Sequence, residues 1–246
     1  SHVVEFLNKK KKNIFIGKNL STGFKELINK KNKFFKININ NIKKIKDLII
    51  KNNIDSVIHL AAALSVGESQ KNPKKYYKIN VIGTKKLLIA IENTSVKNII
   101  FSSTCAVYKD GYETVTEKTK LKPTSVYGKT KLHAEKLIQS FCKKNNLNYG
   151  ILRFFNVAGA SSSGKIGQIN KGDQLFKNFS VQVLKKNPIF KIYGSNYKTK
   201  DGTCIRDYIH VSDIAEIHNK VLEKINNTNT SKILNCGYGK GISVIQ

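Results

Sequence analysis

The sequence predicts an α/β fold: a doubly wound parallel sheet followed by a smaller, less regular region. Short β-rich runs alternate with helical patterns along the chain. The strand candidates are unbroken apolar runs, as expected of strands buried on both faces. Polar or small residues gather just after several of those runs, where open parallel sheets place their binding sites.

In chain order, residues 1–9 read as an amphipathic helix, through Ser1-His-Val-Val-Glu-Phe-Leu7. Residues 13–16 and 33–37 read as strands, 42–52 as a helix and 56–60 as a strand. A long helix spans 73–93, with Asn80 set into an otherwise apolar face. Strand 98–102, helix 126–145 and strand 149–154 complete a unit that behaves as one doubly wound domain. From 160 to 200 the chain turns rich in Gly, Ser, Asn and Lys and loses the alternation. One helix, 176–186, stands among loops there, in a part suited to covering a substrate. Helix 211–223 and strand 232–236 follow. No internal repeat is present.

A chain of 246 residues holds one large domain or two small ones, and 40% hydrophobic residues make it globular rather than disordered. The formal charge of +28 would ordinarily suggest nucleic acid. The lysines are spread along the chain, however, and come with many Asn and Ile; clusters such as 9–12 and 143–144 fall at helix ends that meet solvent. Only Arg153 and Arg206 supply guanidinium groups, so the platforms of a nucleic-acid binder are missing. The charge reads as a basic surface that helps attract an anionic nucleotide. Cys105, Cys142, Cys204 and Cys236 have no metal-ligand spacing and read as reduced cytosolic thiols; no metal is expected. No run approaches the ~20 apolar residues of a membrane span. The chain has no Met and opens on a helix, so it reads as a fragment that enters its fold late; its last residues, 240–246, stop where a new element would begin.

The chemistry centres on Tyr127-Gly-Lys-Thr-Lys131, which follows a strand ending Phe101-Ser-Ser-Thr-Cys-Ala-Val-Tyr108. Tyr127 and Lys131 are four apart and share a helix face. An ammonium beside a phenol favours the phenolate, so Lys131 is expected to lower the Tyr127 pKa. Thr104, at a strand's carboxyl end, can hold a substrate oxygen between itself and the phenol. Ala61-Ala-Ala63 either lets a ligand approach or packs tightly against a helix. Asn80 either braces a loop or touches a ligand. Ser102 and Ser103, and Phe154-Phe-Asn156, also stand at strand ends. In Asp201-Gly-Thr-Cys-Ile-Arg-Asp-Tyr-Ile-His-Val211, Arg206 either meets a pyrophosphate or pairs on the surface with Asp207 ahead of a core strand.

These segments, with His59-Leu-Ala-Ala, Val66-Gly-Glu-Ser69, Asn80-Val-Ile-Gly-Thr84 and Tyr127-Gly-Lys-Thr-Lys-Leu132, resemble the extended short-chain dehydrogenase/reductase family. Leu152-Arg-Phe-Phe-Asn-Val-Ala-Gly-Ala160, 201–211, Asn19-Leu-Ser-Thr-Gly23 and 234–241 are similar to its UDP-glucose 4-epimerase branch. The resemblance implies a Rossmann-type NAD-binding domain over 1–157 and an incomplete UDP-sugar-binding region over 158–246, with 206–225 returning to pack on the first. It implies that the family's glycine-rich opening loop and a C-terminal portion lie outside this chain. It also implies a cytoplasmic homodimer built on the helices at 73–93 and 126–145. Tyr127, Lys131 and Thr104 match catalytic positions. Asn19, Asn38, Ile39, Ala61, Asn80, Ser102, Tyr127, Lys131 and Phe154 match cofactor positions. Thr104, Tyr127, Asn156, Gln174 and Arg206 match substrate positions. Several places depart from the pattern: Lys18 replaces an Asp that bonds the adenosine ribose, Asn38 replaces an Asp, Leu64 stands where some relatives have Lys, and Lys109 replaces a Gly. The sugar-nucleotide dehydratases of the same family need an Asp-Glu pair after the threonine, where this chain has Cys105-Ala106. Epimerases of UDP-N-acetylglucosamine or UDP-glucuronate, and a non-catalytic nucleotide-binding regulator, are the alternatives.

Overall fold

In the computed structural model, residues 1–111, 114–169 and 174–246 are described. Part of the irregular 160–200 stretch therefore lies outside the described residues. The first half of the chain runs α1 (His2–Lys9), β1 (Phe15–Lys18), β2 (Lys33–Lys36), α2 (Ile42–Lys51), β3 (Ser56–His59), α3 (Val66–Lys71), α4 (Pro73–Tyr76) and α5 (Gly83–Ile91). It continues with β4 (Asn98–Thr104), α6 (Val126–Asn145), β5 (Asn148–Phe154) and β6 (Asn156–Ala158). The remainder is α7 (Leu175–Val183), β7 (Ile205–His210), α8 (Val211–Thr228), β8 (Lys232–Cys236) and β9 (Gly241–Ser243).

The helices start where side chains can satisfy their free N–H groups. Asn41 Oδ1 accepts from Lys44 N at 3.0 Å, and Ser125 Oγ accepts from Gly128 N at 3.0 Å. α6 and α8 stop at Asn146 and Asn229, both left-handed, a conformation Asn tolerates. The helix expected over 73–93 is not uniform. Between α4 and α5 the turn Tyr77–Ile82 is a π-helix, and Asn80 lies in it. Such turns cluster at functional sites because they re-aim one side chain.

The main sheet is parallel, in the order β3-β4-β5-β8. β1 and β2 pair only with one another, and β6, β7 and β9 form a third sheet. Alternate residues of the buried strands face opposite layers. Ile99, Phe101 and Ile151 pack with Ile49, Leu88, Ile91 and Ile138 on the α2, α5 and α6 side. Ile100, Leu152 and Phe154 pack with Ile214, Val221 and Ile225 of α8 on the other. The register sets Ser103, Arg153 and Asn235 abreast across three strands, one row short of Thr104, Phe154 and Cys236.

Some expectations shift. The first strand is Phe15–Lys18 rather than 13–16, because Asn13 and Ile14 lie in the irregular stretch between the turn after α1 and the strand. The last helix continues to Thr228 rather than 223, and the helix expected at 176–186 is Leu175–Val183. α3, capped by Ser65, is too short to show a period of its own.

Candidate active site

The carboxyl ends of β3, β4 and β5 face the same edge as the first turns of α6. Gly128 makes that approach possible. A Cβ there would lie 2.1 Å from the carbonyl oxygen of Ala106, so only glycine lets α6 seat against the 105–107 turn. Tyr127 and Lys131 are both buried on the face that meets β4. The Thr104 hydroxyl stands close enough to the Tyr127 phenol to favour its ionised form, and Thr104 Oγ accepts from Ala106 N at 3.1 Å. The hydroxyl proton of Thr104 is thereby left for the phenol oxygen. Tyr127 N donates to Ser69 Oγ at 3.1 Å, which ties the start of α6 to α3.

Lys131 is 3% exposed, and its Nζ donates to the Ser102 carbonyl at 2.5 Å and lies 4.2 Å from the centre of the Phe101 ring. Burial lowers its pKa to about 7, while the Glu135 carboxylate pulls it upward. The expected lowering of the Tyr127 pKa by Lys131 does not occur in the free chain. Burial pushes the phenol up to about 12, opposed by the Thr104 hydrogen bond. Burial outweighs the other influences on the phenol, and Lys131, with its own pKa lowered to about 7, is only partly charged at neutral pH.

Asn80 resolves as a brace. Its Oδ1 accepts from Ala63 N at 2.8 Å, and its Nδ2 donates to Ala63 O at 3.1 Å and to Thr130 Oγ1 at 3.0 Å. Thr130 in turn donates to Tyr127 O at 2.8 Å. Both N–H groups and one lone pair of the amide are used, which ties Asn80 to the 61–63 loop and α6. Behind it, Thr84 donates to Asn80 O at 2.6 Å, and His59 Nε2 lies 2.9 Å from Thr84 Oγ1. The Thr84 proton is spent, so His59 donates from Nε2. Burial, then Lys131, hold its pKa down to about 3, and it is neutral.

Other expected cofactor residues divide between surface and core. Asn19, Asn38 and Ala61 are exposed at the carboxyl ends of β1, β2 and β3. Ile39 packs on the core instead. Ser102 Oγ lies 2.9 Å from His218 Nε2 of α8. The Phe154 ring stacks on the His218 imidazole with centroids 5.3 Å apart. The side chains of these two strand residues therefore serve the sheet's other face, and only their backbone reaches the edge. Asn156 begins β6, in register with Tyr208 of β7. Arg206 is exposed, bonds the Ile205 carbonyl at 3.0 Å and lies close enough to lower the Cys105 pKa. It makes no surface pair with Asp207, whose carboxylate accepts from Tyr238 N and Gly239 N at 3.0 and 2.8 Å. Gln174 caps α7, and its buried Oε1 has no partner among the described residues.

Sequence reasoning missed Ser69, Thr130, Glu135 and Arg153. Two signals were available for the last pair. Glu135 continues the Tyr127, Lys131 stripe by one turn, and Arg153 interrupts an apolar strand, where a charge demands a partner.

A parallel sheet with a buried Tyr–Lys helix seated beside a strand-end threonine defines the class: an α/β protein with its polar groups gathered at the sheet's carboxyl edge. The chain belongs to the NAD dependent epimerase/dehydratase family, whose model matches residues 1–237. It is 36% identical over 248 residues to the UDP-glucose 4-epimerase of Lactobacillus helveticus, an alignment that takes in 100% of this chain and 75% of that protein. Among solved structures, UDP-glucose 4-epimerase from Brucella ovis in complex with NAD superposes with a TM-score of 0.93 at 33% identity, over 99% of this chain and 75% of that one. The UDP-Glc/GlcNAc 4-epimerase of Campylobacter jejuni superposes with a TM-score of 0.83 at 35% identity, over 99% and 76%.

The residues fit a dinucleotide along this edge. Asn40 Oδ1 is a buried acceptor without a partner among the described residues, next to exposed Asn38 at the end of β2. Leu60 and Ala61 leave an open apolar ledge after β3. The fit is weakest at Lys18, which ends β1 with donors only and folds its ammonium over Gly23.

Proposed function

We propose that the chain inverts C4 of a UDP-hexose, interconverting UDP-galactose and UDP-glucose. The observation that carries this reading is the Tyr127–Thr104 hydroxyl pair, with Lys131 buried on the same helix face. Tyr127 takes the proton of the sugar 4-hydroxyl and Thr104 holds the same oxygen. Bound NAD supplies the hydride acceptor for C4 and a positive charge that favours the phenolate. With the hydride removed, C4 is a flat ketone. Asn156 and Arg206 hold the diphosphate while the sugar turns its other face. Tyr127 would then return the proton to O4 of the inverted sugar, with the resident cofactor supplying the hydride at C4. Nothing is consumed. Lys131 is assigned to the cofactor ribose, and Gln174 to the sugar side.

Residues 1–157 are taken as the cofactor half and 158–246 as the sugar half. The chain is placed in the cytoplasm, in keeping with its free cysteines; among the described residues no helix is long and apolar enough to cross a membrane. A homodimer through the helical layer of α5 and α6 is assigned on the exposed Tyr77, Ile82 and Ile89. Light scattering at micromolar concentration is expected to give twice the 27.7 kDa chain mass, and a monomer would reject that assignment.

A second sugar is favoured by the likeness to the Campylobacter jejuni enzyme, whose description includes GlcNAc. The assay therefore offers UDP-galactose and UDP-N-acetylgalactosamine separately and follows the 4-epimer of each. Turnover of the first supports the main reading. Turnover of the second alone replaces it. Bound nucleotide with neither turnover supports a binding regulator.

A further inference from the structure

We propose that Glu135 and Arg153 are positioning residues for this reaction: a buried ion pair that locks the Tyr127–Lys131 face of α6 onto the end of β4 and supplies the countercharge to Lys131. The proposal rests on the assignment of Tyr127, Lys131 and Thr104 made above.

Three side chains of α6, each one turn apart, meet three consecutive residues of β4. Tyr127 meets the Thr104 hydroxyl, Lys131 meets the Ser102 carbonyl, and Glu135 accepts from Ser103 Oγ at 2.5 Å. The third rung is clamped from the neighbouring strand. Arg153 Nε donates to Glu135 Oε1 at 3.1 Å and Nη2 donates to Oε2 at 2.8 Å, a side-on bidentate pair. Arg153 Nη1 donates to the Tyr108 hydroxyl at 2.8 Å, which donates to Asn235 Oδ1 at 2.7 Å. Asn235 N donates to Glu117 at 2.7 Å. The clamp therefore runs along one row of the sheet, through Ser103, Arg153 and Asn235. Glu135 is 0% exposed and Arg153 2%.

Stability alone does not call for such a pair, because well-packed apolar residues in its place are often as good or better. What an ion pair adds is one allowed rotation and height of the helix. That matters here because a small misplacement of Tyr127 against Thr104 is costly in rate. Glu135 also opposes the loss of charge that burial imposes on Lys131. Lys131 faces Glu135 on its own helix and His59 from β3. Arg153 of β5 stands behind Glu135, while Cys105 of the 105–107 turn and Tyr76 of α4 face Tyr127.

The test uses Glu135→Gln and the double variant Glu135→Met with Arg153→Met, which removes both charges of the pair together and leaves neither of its two members buried without the other. One readout is steady-state epimerisation. The other is a carbon-13 NMR titration of the Lys131 ε-carbon, assigned by its loss in Lys131→Arg. The double variant is expected to melt near the parent temperature, to lose about 10- to 100-fold in kcat with KM within about three-fold, and to titrate Lys131 at lower pH. If Glu135→Gln fails to fold, the double variant decides. Parent kcat and parent Lys131 titration in a folded double variant overturn the proposal. A parent that epimerises no sugar defeats the functional reading instead. The lysine titration then still decides: an unmoved midpoint overturns the countercharge and a lowered one supports it.

Discussion

At the scale of single residues, the site is a protonated phenol awaiting a reason to ionise. With burial raising its pKa to about 12, the phenol of Tyr127 is protonated at neutral pH, and its neighbour Thr104 can only share a proton. Replacing Tyr127 by Phe removes the base and keeps the ring. Epimerisation is expected to fall by about 10²–10⁴ in kcat, while thermal melting stays near the parent. A variant that keeps parent kcat would remove Tyr127 from the reaction. The Tyr127–Lys131 spacing and the strand-end Thr104 are legible in the sequence, since spacing on a helix and position at a strand end are local properties. The state of the phenol is not. It depends on how deeply three elements bury it and on which carbonyl takes the lysine.

Among elements, α6 carries the Tyr127–Lys131 face, and the sequence delimits it at 126–145 as observed. Its seat is set by Gly128 against the Ala106 carbonyl. Backbone meets backbone there, so Gly128→Ala must push the helix away from the 105–107 turn. The expected cost is about 1–3 kcal/mol in denaturant unfolding, with a larger fractional loss in kcat than in stability-matched variants elsewhere. An unchanged midpoint would mean that α6 does not rest on that turn. The π turn at Tyr77–Ile82 is invisible in the sequence, because its residues are ordinary helix formers. Only the fold shows that the turn aims Asn80 at the 61–63 loop and at Thr130.

Across the whole molecule, two neutral imidazoles tie the layers together, His59 under α5 and His218 between α8 and the sheet. Burial holds them down to about 3 and about 4 respectively. Their unfolded counterparts protonate near 6.5, so below that pH the unfolded chain binds more protons than the folded one. Their contribution to stability is complete above pH 6.5 and is lost as the pH falls toward 4 and then 3. Urea midpoints are expected to drop between pH 7 and pH 4.5, less steeply in His218→Gln; equal slopes in parent and variant would contradict this. The overall class is legible from the alternation of apolar runs and helices. The pairing of β1 with β2 alone is not, because pairing depends on which edges meet in space.

The central claim is that C4 is inverted by removal and return of one hydride beside Tyr127. The most direct measurement gives the protein UDP-galactose carrying deuterium at C4 and analyses the UDP-glucose formed by mass spectrometry and proton NMR. The expected product keeps its deuterium at C4, and Tyr127→Phe forms it about 10²–10⁴-fold more slowly. A product carrying solvent hydrogen at C4, or equal turnover by the Phe variant, would contradict the claim.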